Sequence, residues 1–171
     1  MFKKILAAII FIAIMSFHSY GQRVAIIDVS DILENMDEYK SAQMELDKVA
    51  KQWRQSIMKE QDKIKAMYNE YEAESVLMTE DMKKKKEDAI IAKEKEVREL
   101  QRGYFGAKGE LFQKRQELVQ PIEDKVFSAI TNYAEDRGFD VVLDKSSGPG
   151  VLFVNEKYDK TADIKKKLGI K

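Results

Sequence analysis

The sequence contains no cysteine, two prolines and a single histidine, His18, in 171 residues. Without cysteine no disulfide can form, so a fold placed in an oxidising compartment must draw its stability from helix packing or from assembly. The histidine lies inside an apolar N-terminal stretch. Removal of that stretch leaves neither histidine nor cysteine, which excludes histidine-based triads, cysteine nucleophiles and zinc sites of ordinary composition. An excess of one charge is also missing, since Lys and Arg number 30 and so do Asp and Glu. The chain therefore lacks the basic footprint of a nucleic-acid binder. Charged residues still make up 35% of the total, a proportion that suits long, solvent-washed helices.

The N-terminal stretch, MFKKILAAIIFIAIMSFHSYGQ, begins with Lys3 and Lys4 and continues as an apolar run from Ile5 to Phe17. Ser19 and Gly21 then stand at the spacing a signal peptidase reads, so residues 1–21 are expected to be a signal peptide cut before Gln22. The alternative is a membrane anchor, but the run is shorter than the roughly 20 residues a spanning helix needs. No cysteine follows to take a lipid. The mature chain is expected to be soluble, without stable membrane insertion. Taking Lys3 and Lys4 from the 30 basic residues leaves 28 against 30 acidic ones.

Past the leader, RVAIIDV (Arg23 to Val29) is a β-branched run that suits a strand buried on both faces. Ser30 or Asp31 can cap a following helix, with Glu34 completing a capping box from Asp31. From Tyr39 to Ser75 the pattern is helical, with Leu46, Val49, Trp53, Ile57, Ile64 and Tyr71 forming one apolar stripe. SVLMTEDM breaks it. Thr79 is the expected N-cap of a second helix that opens on Glu80 and Asp81 and runs to Arg137, with Gly138 as C-cap. Ile90, Val97, Tyr104, Leu111 and Leu118 recur in steps of seven, a coiled-coil seam interrupted by Lys93 and Lys114. Pro121 predicts a bend or break. The two helices run back antiparallel as a hairpin. FDVVLDK and VLFVNEK read as two strands joined by SSGPG, and TADIKKKLG as a short helix capped by Thr161 and closed by Gly169.

Three strands and one short helix leave apolar faces uncovered, and a two-helix arm has no third layer. Other copies of the chain are the expected remedy. The fold class is thus α+β, mostly α: a long antiparallel helical hairpin on a small β body completed by oligomerisation. Residues 22–38 and 119–171 are assigned to that body, and residues 39–118 to the arm.

Gly103, Gly106 and Gly109 lie three apart in helical surroundings. They match neither the spacing nor the strand–turn–helix context of a dinucleotide fingerprint. Turned away from the seam, they each weaken the helix by about 1 kcal/mol. They read either as a compliant joint that leaves the seam intact or as drift tolerated on an exposed face. The seam residues of the second helix come as doublets, so Ile91, Phe105, Phe112 and Val119 form a second row about 100° around. Met58, Met78 and Met82 add soft apolar surface of the kind promiscuous binders use. The alternative is that Phe112 and Val119, nearer the base, pack in the oligomer body, and for Val119 this is the preferred reading. Lys83 to Lys86, hemmed by acidic residues, reads as solvated helix surface rather than an anion site. Asp28 and Asp144 read as strand-end or capping groups. No catalytic, cofactor or metal site is expected.

The order of an exported strand, a long hairpin and GFDVVLDKSSGPGVLFVNEKYDKTADIKKKL resembles the Skp/OmpH family of periplasmic chaperones across the mature chain. VAIIDVSDILENMDEYKSAQMELDK, LMTEDMKKKKED, QPIEDKVFSAITNYAEDRGFDVVLD and DKTADIKKKL contribute most to the likeness. The resemblance implies a jellyfish-shaped homotrimer whose three helical arms enclose a cavity. There, without ATP, it holds unfolded outer-membrane β-barrel precursors in the periplasm and prevents their aggregation. Met58, Met78, Met82, Ile91, Phe105 and Phe112 become the expected client contacts, and Gly103, Gly106 and Gly109 the source of arm flexibility. Strongly basic members capture acidic clients or lipopolysaccharide through charge. This near-neutral chain departs from them, so neither property is carried over. A structural coiled-coil adaptor or spacer of the cell envelope is the alternative reading. A carboxylate-based hydrolase is a weaker one, since no segment offers a pocket in which two carboxylates could shift their ionisation.

Overall fold

The structure, a computed structural model, describes residues 21–148 and 150–170. The leader assigned to residues 1–21 lies, Gly21 apart, outside the described residues, as does Pro149 of the expected SSGPG turn. The protein is mostly helical with one small sheet, and divides into two compact units. Of the described residues, one unit holds those up to Ile32 together with those from Ser128 onward; the other is Leu33–Phe127.

In the first unit, the β-branched run forms β1 (Val24–Ile27), paired in parallel with β2 (Val141–Asp144). Val24 stands opposite Val141 and Ile27 opposite Asp144. A parallel pair needs a long crossover, and here everything between the two strands serves as one. On its other edge, Ile26 donates its N–H to the Tyr158 carbonyl and accepts from the Lys160 N–H, both at 2.8 Å. Burial alternates along β1, with Ala25 and Ile27 buried and Val24 and Ile26 half-buried, so within this chain one face is covered rather than two. The expected third strand is absent. Residues 151–155 form none, because the neighbouring β1 positions are already bonded to Tyr158 and Lys160, and a lone extended segment has no ladder to join. Leu152 and Phe153 are left 93% and 82% exposed.

Carboxylates fix the turns of this unit. Asp28 Oδ1 accepts from the Asp31 N–H at 2.9 Å, so α1 (Val29–Glu34) starts earlier than a Ser30 or Asp31 cap would allow. Asp144 Oδ1 accepts from the N–H groups of Val29 and Ser146. The terminal helix, α5 (Thr161–Lys167), has Lys160 rather than Thr161 at its N-cap position, without a side-chain cap bond, and Asp159 just before it takes the first helical N–H. Asp159 Oδ1 takes the Thr161 N–H at 2.9 Å, while Thr161 Oγ1 takes the Asp28 N–H at 3.0 Å. Lys145 Nζ lies 2.9 Å from Asp159 and 3.7 Å from Asp28. Burial opposes ionisation of Asp159, but hydrogen bonds from Thr161 and Lys145 prevail and hold its pKa down to about 2. Tyr133 donates to Asp163 at 2.6 Å and stacks on Phe139. Burial, reinforced by that carboxylate, pushes its pKa up to about 12.

The second unit is a helical hairpin. Its first rod, α2 (Asp37–Glu74), has 38 residues, about 57 Å at 1.5 Å each. A 3₁₀ turn (Ser75–Leu77) follows, and then α3 (Glu80–Phe105). Thr79 caps α3 as expected, its hydroxyl accepting from the Met82 N–H. The helix expected to continue to Arg137 is interrupted, and α4 (Glu110–Arg137) begins after Gly106–Gly109. At its far end Gly138, at φ +64°, closes α4: the Phe139 N–H reaches the Ala134 carbonyl and the Gly138 N–H that of Glu135. Pro121 sits inside α4 and does not break it.

The glycines, not the proline, end the helix. A Cβ on Gly106 would lie 2.4 Å from the Arg102 carbonyl oxygen, and one on Gly109 2.7 Å from that of Gly103. The chain folds so closely on itself there that side chains are excluded. Gly103 lies within α3 with open space around it. The interruption also shifts the helical phase. Ile90 and Val97 are buried and Tyr104 half-buried before it; after it the buried positions are Val119, Ile122, Val126 and Ile130, while Leu111 and Leu118 are only half-buried. Tyr104 to Val119 is two heptads plus one residue, so the expectation that the glycines leave the seam undisturbed is overturned. Val119 accordingly packs inside.

Two outcomes follow from these contacts. The folded pKa of Asp159 lies below its ordinary value, so its contribution is present above pH 4 and is lost as pH falls towards 2. Asp159→Asn should lower the urea midpoint at pH 7 by the equivalent of about 1–2 kcal/mol, and this deficit should vanish near pH 2. At the break, Gly103→Ala should stabilise by about 1 kcal/mol. Gly109→Ala should destabilise by about 1–3 kcal/mol, with urea unfolding followed through Trp53 fluorescence.

Candidate functional site

The hairpin is closed by one seam. From α2 it takes Ala42, Leu46, Ala50 and Ile57, all buried, with Val49, Trp53, Ile64 and Tyr71 half-buried beside them. From α3 it takes Ile90 and Val97. At mid-length Trp53 stacks on Tyr104, ring centroids 4.8 Å apart and planes within 3°, and meets Phe105 edge-on. Lys93, which occupies a seam position, is accommodated by charge: it lies 2.7 Å from Glu60 and 3.0 Å from Glu96. Lys63 and then Lys93 hold the Glu60 pKa down to about 2. Towards the hairpin end, Lys86 bridges Glu70 and Glu74, Tyr68 donates to Glu94 at 2.9 Å, and Tyr71 donates to Glu87. These hydrogen bonds raise the pKa of Lys86 and of both phenols.

The expected contact residues do not form a continuous row. Met58, Met82, Ile91 and Phe112 are exposed, and Met78 is half-buried. Phe105 is also half-buried, with Trp53 on one side and the Arg54 guanidinium 5.8 Å from its ring centre. Because the phase changes at Gly106–Gly109, Phe112 and Val119 do not continue the stripe of Ile91 and Phe105. The structure brings two of the six together. Met58 and Phe105 line a shallow groove of about 390 Å³ with Arg54, Ile57 and Gln101.

Two residues of the hairpin turn went unnoticed in the sequence. Val76 and Leu77 are 89% and 90% exposed in the 3₁₀ turn, beside Met78 and Met82. Their signal was there, since an apolar triplet in a connecting turn is what a solvent-facing loop avoids. In the basic run, Lys83 pairs with Glu80 and Lys86 with Glu70 and Glu74, which fits a solvated, internally paired surface. Among the described residues no cluster of His, Cys, Asp and Glu could hold a metal ion, and no helix is long and apolar enough to cross a membrane. The chemistry on offer is adaptable apolar surface, graded from the turn to the mid-hairpin groove.

Comparison with known proteins gives a consistent answer. The profile of the family described as outer membrane protein (OmpH-like) matches residues 23–168. A solved structure of an OmpH-like protein from Caulobacter crescentus, described there as a candidate outer membrane chaperone, superposes with a TM-score of 0.66. The match covers 86% of this chain and 84% of that one at 14% identity, so it is the fold that is shared. Among proteins with curated functions, none matches.

Proposed function

The chain belongs to the OmpH-like family, and on that premise we propose that it is an ATP-independent periplasmic holdase. It binds unfolded outer-membrane β-barrel precursors between helical arms and keeps them from aggregating, without catalysing a reaction. The observation behind this reading is the number of large apolar side chains that the hairpin leaves in water, Val76 and Leu77 in the turn with Met82 after them, and Met58, Ile91 and Phe112 along the helices. Val76 and Leu77 adjoin in the turn, and exposed apolar surface of that kind on a folded protein marks a binding surface. Flexible methionines among them suit clients of varied sequence. The break at Gly106–Gly109 supplies a joint through which such an arm adapts to clients of different size.

The active form is a homotrimer whose body covers what one chain exposes in its first unit, namely Val141, Leu143, Leu152 and Phe153. The export leader at residues 1–21, removed near Gly21/Gln22, delivers the chain to the periplasm. A coiled-coil spacer of the envelope is the other reading, and it would need a fixed partner.

In light scattering, the mature protein should suppress aggregation of a urea-diluted outer-membrane β-barrel. The double variant Val76→Ser, Leu77→Ser should need about threefold more protein for the same effect. A spacer would leave aggregation unchanged in both forms. Sedimentation of the mature protein should give three chain masses, and Leu152→Asp with Phe153→Asp should shift it to one.

A further inference from the structure

Equal totals of acidic and basic residues conceal a segregation of charge along the hairpin. In Lys51–Lys59 there are three cations, Lys51, Arg54 and Lys59, and no carboxylate. The stretch of α3 from Arg98 to Lys108 has three cations and one carboxylate, Glu99. Trp53 on Tyr104 shows that these two stretches face each other. The turn is the reverse: residues 70–88 contain seven acidic residues and four basic ones. The groove lined by Arg54, Ile57, Met58, Gln101 and Phe105 therefore opens inside a positive girdle, with no carboxylate in its wall.

Helical spacing aligns the charge with the groove. Lys51, Arg54 and Met58 share one face of α2, and Arg98, Gln101 and Phe105 share one face of α3. Many hairpin cations are paired, as with Lys63, Lys86, Lys93 and, in the girdle itself, Arg98 with Glu94. Arg54 is not: its guanidinium lies over the Phe105 ring and no carboxylate meets it among the described residues. A guanidinium flat on an aromatic ring still has free N–H groups that can take a carboxylate in a forked pair.

We propose that this groove is a selective subsite for unfolded polypeptide, taking an aromatic side chain whose sequence neighbour is a carboxylate. The ring packs against Phe105 and Met58, the carboxylate meets Arg54, and Gln101 hydrogen-bonds the client backbone. Lysine beside the aromatic residue is repelled by Arg54. The inference rests on the holdase reading and adds to it a preference that the neutral net charge of the chain hides.

Trp53 is the only tryptophan and touches Phe105 edge-on, so its emission reports on the groove. The test titrates the full mature protein with short Gly/Ser peptides carrying one Phe flanked by Asp, or by Lys. The Asp-flanked peptide should change Trp53 emission saturably, with an apparent Kd about fivefold lower than the Lys-flanked one. Arg54→Gln should remove the difference, and Arg54→Glu should invert it. Equal affinities, a preference that survives Arg54→Gln, or no saturable response to either peptide would overturn the subsite. So would a response to phosphatidylglycerol vesicles without one to the peptides. An aggregation assay on the same sample separates the two readings: suppression without peptide preference removes only the subsite, and no suppression removes the holdase itself.

Discussion

Two helices lying side by side can each bury one stripe, and only against the other. That limit governs the hairpin. Leu46, Ala50, Ile57, Ile90 and Val97 use the seam fully, and Trp53 on Tyr104 locks its middle. Beyond it the other large apolar side chains of α2 and α3 are at best half-buried, and Met58, Met82 and Ile91 stand in solvent. In an ordinary globule this would be a liability. In the holdase proposed above it is the working surface.

The glycine segment sets where that surface changes character. Gly106 and Gly109 allow a turn too tight for a side chain at either position, and the turn resets the helical phase by one residue. Before it, one register of apolar residues meets α2 and its neighbour faces out. After it, Val119 and Val126 move inside and Phe112 stays outside. A single uninterrupted helix would have carried the same two stripes from end to end.

Much of this was legible in the residues. Thr79 as a cap, Gly138 and Gly169 as helix ends, β1 and β2, and the seam up to Tyr104 all rest on local rules that tertiary contacts do not override. The failures have a common source in long-range geometry. Pro121 looked like the breaker, yet one missing hydrogen bond near the surface of a helix of 28 residues does not stop it. Three glycines at helical spacing looked like a softened helix, because their close approach to the Gly103 and Arg102 carbonyls exists only once the turn has formed. VLFVNEK had strand composition but no free edge to join within one chain. Phe105 seemed an outward-facing residue, and its contact with Trp53 depends on which residues the opposite helix presents at that level. Val76 and Leu77 stand in the sequence as a break in periodicity, which marks a turn and says nothing of how far its apolar side chains project into water.

The account stands on the claim that the apolar residues left outside the seam are the ones that hold an unfolded client. A photoreactive phenylalanine placed in turn at Met58, Leu77 and Ile91, and at the exposed polar positions Lys48, Asp62 and Lys84, tests this in the presence of an unfolded outer-membrane β-barrel. Cross-linking several-fold stronger at the three apolar positions is the expected result. Equal yields at all six would contradict it.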